Sequence, residues 1–124
     1  MEKELLKVKL DIEPLTWGSE KDAQRREEIR EAIRKKIPEF DKQYMERLIK
    51  ECEEISVILN CSLRAPIAKD IDNLAKIPID AIFFSAQNEK GYKEWESKIT
   101  SLTVKKLKSS ENALEITIYE TSSQ

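Results

Sequence analysis

The sequence predicts a mixed α+β fold in a single domain, residues 1–124, with elements in the order β-α-α-β-α-β-β and a mixed sheet. Three observations predict it. Apolar and charged residues alternate near both ends of the chain, as in strands with one wet face. Apolar residues recur at helical spacing in the two segments that follow the first strand. A β-branched, apolar run, ISVILNC, stands between those segments and a third helical stretch. The 124 residues suffice for one core and are too few for two. With 40% hydrophobic and 37% charged residues, the composition is that of a globular chain with a charged surface, not a disordered one.

Each element has its own warrant. Leu6, Val8, Leu10 and Ile12 alternate with Lys7, Lys9 and Asp11, which predicts a half-buried first strand. Pro14 to Gly18 breaks it, and Ser19 stands three residues before Asp22 as a cap-like helix start. Ile29, Ala32, Ile33 and Ile37 form the apolar stripe of that helix, and Pro38 ends it. Asp41 is placed to cap a second helix with Tyr44, Leu48, Ile49 and Cys52 inward. Residues 55–61 read as a buried strand, and residues 70–85 as a third helix. Residues 99–107 and 114–119 read as two strands around the turn residues 109–112, and their alternation predicts an antiparallel hairpin.

Composition narrows the chemistry. The chain has no histidine, which excludes Ser-His-Asp and Cys-His catalysis and every His-containing zinc site. Cys52 and Cys61 form no zinc-like spacing and read as reduced core thiols. No apolar run is long enough to span a bilayer, so no membrane partner is expected. The first residues, MEKELLKVKLDIE, lack the apolar block of a signal peptide, so a cytoplasmic location is expected. The net charge is −2, yet residues 62–110 carry nine basic and six acidic groups. The basic excess therefore coincides with the segment that holds the strongest candidate site.

That segment is KDIDNLAKIPIDAIFF, residues 69–84, with Asp70, Asp72, Asn73, Lys76 and Asp80. In a helix opening at Asp72, the residues Asp72, Lys76 and Asp80 share one face, and Asp70 lies just before it near the N-cap. Hard divalent cations take oxygen ligands, so an Asp-x-Asp pair with a nearby lysine suits a metal and a phosphate. The competing structural account is an acidic N-cap followed by a ladder of ion pairs on an exposed face. Pro78 sets a further condition, because inside a continuous helix it would cost about 3 kcal/mol. A kink that leaves residues 70–76 as a distinct first turn, or regular helix that begins close to Pro78, avoids that cost.

The ordered set Asp70-x-Asp72-Asn73-x-x-Lys76-x-x-x-Asp80-Ala81 resembles the signature of the RusA family of Holliday-junction resolvases. In that family a loop, a glycine, an aromatic, an acidic pair and two strands follow. Here Gly91-Tyr92-Lys93-Glu94-Trp95-Glu96-Ser97-Lys98-Ile99 and the strands ITSLTVKKL and ALEITIYE stand in those places, so the resemblance covers about residues 66–120. It implies a homodimeric, magnesium-dependent endonuclease that cuts four-way DNA junctions. By the same resemblance Asp70, Asp72 and Glu96 are metal ligands, and Lys76 contacts the scissile phosphate. Asp80 matches a further acidic position, and Glu94 competes with Glu96 if the loop register shifts. Trp95 replaces the first acid of the family's pair, and Glu96 is one methylene longer than aspartate.

Lys69, Lys105 and Lys106 are the candidate DNA contacts, with Lys108 beside them. Edge-strand lysines also block aggregation. Arg26, Arg30 and Arg34 recur at a spacing of four, as a phosphate-tracking stripe or a solvated helix face interleaved with Asp22, Glu27, Glu28 and Glu31. Trp17 and Trp95 suit either base stacking or buried packing. The apolar residues Ile71, Leu74, Ile77, Ile79, Ile82, Phe83 and Phe84 exceed one helical stripe, which predicts burial against a second subunit. Two other functions stay open on these residues: a catalytically weakened binder of branched DNA, and a structural or interaction protein with a coincidental acidic cluster.

Overall fold

The computed structural model describes residues 2–14, 21–41, 43–65, 70–83 and 97–121. Seven main elements follow in the predicted order: β1 (Glu2–Leu10), α1 (Asp22–Lys36), α2 (Tyr44–Ile49), β2 (Ile55–Leu63), α3 (Lys76–Phe83), β3 (Ile99–Lys108) and β4 (Ala113–Thr121). A short 3-10 helix, Ile71–Asn73, precedes α3. The strands form one four-stranded mixed sheet in the order β1-β4-β2-β3. β4 runs antiparallel to both β1 and β2, whereas β3 runs parallel to β2.

This order corrects the predicted hairpin. β3 and β4 are consecutive in sequence but lie on either side of β2. The turn at 109–112 therefore spans the end of β2. Three hydrogen bonds tie it there: Ser109 N–H to Leu63 O at 3.0 Å, Arg64 N–H to Asn112 Oδ1 at 3.1 Å, and Arg64 Nε–H to Ser110 O at 3.0 Å. The parallel β2–β3 pair requires a crossover, which the chain supplies between residues 64 and 98 with α3 inside it.

Register explains the core. Leu6, Ile118 and Val57 align across β1, β4 and β2; so do Val8, Ile116 and Leu59, and Leu10, Leu114 and Cys61. All nine are buried. The same rows end on the edge strand β3 with Leu102, Val104 and Lys106, where cover runs out and Leu102 is 46% exposed. Ile29 and Ile33 of α1, Met45 and Ile49 of α2, and Ile77, Ala81 and Ile82 of α3 complete the core cluster. The opposite face is mixed and polar. One row there reads Lys9, Glu115, Asn60, Lys105, and Asn60 Nδ2 donates to Glu115 Oε1 at 3.1 Å.

The helix ends follow from composition. Asp22 lies in the first turn of α1 and Arg34, Lys35 and Lys36 in its last, which complements the helix dipole. Asp41 precedes α2, where its Oδ1 accepts from the Gln43 N–H at 2.9 Å. Met45 and Ile49 are the fully buried residues of α2, while Tyr44 and Leu48 are only partly buried. The apolar surplus assigned to a second subunit is largely absorbed within one chain. Leu74, Ile77, Ile82 and Phe83 are buried in its core, Ile71 remains 46% exposed, and Phe84 lies outside the described residues.

Candidate active site

The acidic segment does not open as one helix. Asp70 is extended, with φ −77° and ψ 127°. Its carbonyl accepts from the Asn73 N–H at 3.2 Å, closing the 3-10 turn. Leu74 and Ala75 are buried and anchor the turn to the core, while Asp70 and Ile71 are exposed. Regular helix begins at Lys76, so Pro78 is its third residue. Its missing N–H falls in the first turn, where no intrahelical acceptor is required. The helical face expected to join Asp72, Lys76 and Asp80 is thus broken. Asp72 belongs to the 3-10 turn, and only Lys76 and Asp80 share α3.

Those two form an ion pair, Lys76 Nζ to Asp80 Oδ1 at 3.4 Å. The second oxygen, Oδ2, lies 3.9 Å from Arg26 Nη1 on α1. The Asp80 side chain is only 8% exposed, against 44% for Lys76 and 25% for Arg26. It therefore does not belong to an exposed ladder; it is a buried anion at the α1–α3 contact with a cation at each oxygen. A buried carboxylate needs such partners to remain charged.

The arginine row of α1 serves the same contact. Arg30 Nε donates to Ala81 O at 2.9 Å and its Nη2 to Asp80 O at 3.4 Å. These carbonyls lie near the C-terminus of α3, whose last turn contains no basic residue. Arg34 donates to Phe40 O at 3.3 Å and pairs with Glu27 and Glu31. Partial burial opposes ionisation of Glu27, but its hydrogen bonds from Arg34 and Arg30 outweigh that and hold its carboxyl below the usual 4.5. Arg26 and Arg30 thus serve the contact between α1 and α3, whereas the pairs of Arg34 with Glu27 and Glu31 lie on an exposed face. The signal available in the sequence was the absence of a basic residue in the last turn of α3, KIPIDAIF.

Asp70 stands on the connection that leaves the carboxyl end of β2, and the 3-10 turn packs beside β3. Ligand sites in sheets with parallel strands favour that end. Lys105 and Lys106 sit on β3 but face opposite sides of the sheet, the first beside Asn60 and the second beside Cys61. They therefore do not form one patch. Lys69, Glu94, Trp95, Glu96 and Trp17 lie outside the described residues, as does the side chain of Asp72. Among the described residues no group of three or more His, Cys, Asp and Glu side chains is arranged to hold a metal ion. The expected ligand set, Asp70, Asp72 and Glu96, consists wholly of carboxylates, which suits a hard cation such as magnesium.

Two other features bear on function. Cys52 and Cys61 are buried and free. Burial pushes the Cys61 thiol up to about 11, and burial together with Glu120 raises Cys52. Both shifts disfavour the thiolate, which is the nucleophilic form. A cavity of about 320 Å³ lies between the end of β1, α1 and α3, lined by Ile12, Pro14, Ile29, Ile77, Pro78 and Leu114 with Glu13, Arg25 and Glu28. It contains none of the predicted site residues. No helix among the described residues is long and apolar enough to cross a membrane. No protein-family model matches the chain, and no curated protein sequence matches it.

Proposed function

We propose that the chain is a magnesium-dependent endonuclease that hydrolyses phosphodiester bonds in four-way or other branched DNA, acting as a homodimer in the cytoplasm. The observation that carries this reading is the break at residues 70–76. It puts Asp70 and the backbone of Asp72 on a separate turn, and starts α3 at a lysine whose ammonium stays accessible. This is the order of the RusA-like signature, carried by an exposed turn pinned to the core by Leu74 and Ala75.

Asp70, Asp72 and Glu96 would hold the cation, with Glu94 as the alternative to Glu96. When bound, magnesium supplies charge neutralisation at the phosphoryl oxygens and lowers the pKa of a bound water. The remaining roles belong to the protein. Lys76 places a positive charge where the phosphate gains negative charge in the transition state. Lys69 and Lys106, the latter on the face of β3 that continues the buried rows, contact the DNA backbone, while Lys105 points to the other face; such contacts position the duplex arms without reading sequence. Ile71 and Leu102 are each 46% exposed, and both suit the subunit contact of a dimer. A two-fold dimer offers paired sites to a junction of matching symmetry.

The test is cleavage of a synthetic mobile four-way junction, with magnesium and with chelator, by the native chain and by Asp72→Asn. Paired, magnesium-dependent nicks that disappear in the variant are expected. Salt-sensitive junction binding without cleavage would instead favour a branched-DNA binder, a reading that the Trp95 and Glu96 departures make specific. Neither binding nor cleavage would reject both.

A further inference from the structure

We infer that Asp80 is a positioning residue for Lys76, and that Arg26 of α1 fixes Asp80 for that task. This rests on the nuclease reading for its catalytic meaning, and on geometry for its physical content. A lysine ammonium swings on a four-carbon stem with several rotatable bonds. Lys76 stands at the first position of α3, 44% exposed, where packing alone does little to select among its rotamers. Asp80 lies one turn further along the same helix and presents Oδ1 to the ammonium at 3.4 Å. Its own rotamer is constrained, because its side chain is 8% exposed and Oδ2 faces Arg26 at 3.9 Å.

Arg26 in turn belongs to a 15-residue helix held by Ile29 and Ile33 in the core. Arg30, one turn on, ties that helix to the Asp80 and Ala81 carbonyls. The backbone and the carboxylate of residue 80 are therefore both gripped from α1. A buried ion pair is weak evidence for stability, since desolvation offsets much of the attraction. What the arrangement yields is direction: it biases one exposed ammonium toward the side of α3 that bears Asp80. Asp80 thereby has a role distinct from that of Asp70 and Asp72.

Two measurements decide it. The first needs no activity. In the native chain, NMR relaxation of the lysine ammonium groups is expected to show Lys76 more ordered than Lys35, which is exposed on α1. Asp80→Asn should remove the difference. A native Lys76 as mobile as Lys35 would overturn the inference. The second is a double-mutant cycle on junction cleavage, with folding of each variant checked by circular dichroism. Asp80→Asn is expected to lower kcat by about 10- to 100-fold, the scale on which misplacing a reacting group acts, with KM little changed. On a Lys76→Gln background it should cause no further loss. Losses that multiply would make Asp80 merely structural and overturn the catalytic role. A native chain that orders Lys76 yet cuts no junction would reject the nuclease reading and the catalytic role with it, while the ammonium clamp would stand.

Discussion

At the scale of single residues, the α1–α3 contact is governed by side chains that cross between helices. Arg30 is 19% exposed and supplies donors to two carbonyls at the end of α3. Hydrogen bonds from a charged group are worth about 1.5–3 kcal/mol, and buried acceptors left unpaired cost a similar amount. Arg30→Ala is therefore expected to lower stability by about 1–3 kcal/mol in urea unfolding. Arg30→Lys should recover only part of it, because one ammonium does not reproduce the two-pronged guanidinium contact. A loss within the error of the measurement would place α3's stability in its apolar packing alone. The carboxylates of the segment were visible in the sequence, but their environments were not. Asp80 and Lys76 look the same at a spacing of four whether the carboxylate is wet or buried. The partner that distinguishes the cases, Arg26, comes from a different helix.

At the scale of elements, Pro78 decides how the candidate segment is read. In the interior of a continuous helix from residue 72 it would carry a penalty of about 3 kcal/mol, and replacing it would relieve that penalty. As the third residue of α3 it occupies a position whose N–H is free of intrahelical demands. Pro78→Ala is therefore expected to change stability by less than about 1 kcal/mol, with no gain in helix content by circular dichroism. A gain near 3 kcal/mol would mean that the turn and α3 form one strained helix. The sequence predicted seven of these elements in order, because periodicity and breakers are local signals. The β3–β4 hairpin failed because alternation in Leu114, Ile116 and Ile118 reports a buried face and not the neighbour that shares it. Whether β4 lies beside β3 or across from it depends on β2, whose Ser62 pairs with both Ala113 and Leu107.

At the scale of the molecule, the fold joins a parallel β2–β3 pair to an antiparallel β1–β4–β2 half through one buried layer beneath three helices. The chain between β2 and β3 contains every residue expected to take part in catalysis or metal binding: Asp70, Asp72 and Lys76 on its first part, and Glu94 and Glu96 on its last. The proposed nuclease site requires Asp70, Asp72 and Glu96 to converge on one divalent cation. Residue types and spacing make the first two candidate ligands on a single turn, whereas Glu96 enters only through the family resemblance. Glu96 depends on how a long connection returns to β3, which no local pattern specifies. The most direct test is titration of the native chain with Mn²⁺, followed by electron paramagnetic resonance, alongside Asp70→Asn, Asp72→Asn and Glu96→Gln. One saturable site is expected, weakened about tenfold or more by each substitution and competed by magnesium, a loss on the scale seen when a metal site is disturbed. A site indifferent to Glu96→Gln, or no saturable binding at all, would contradict it.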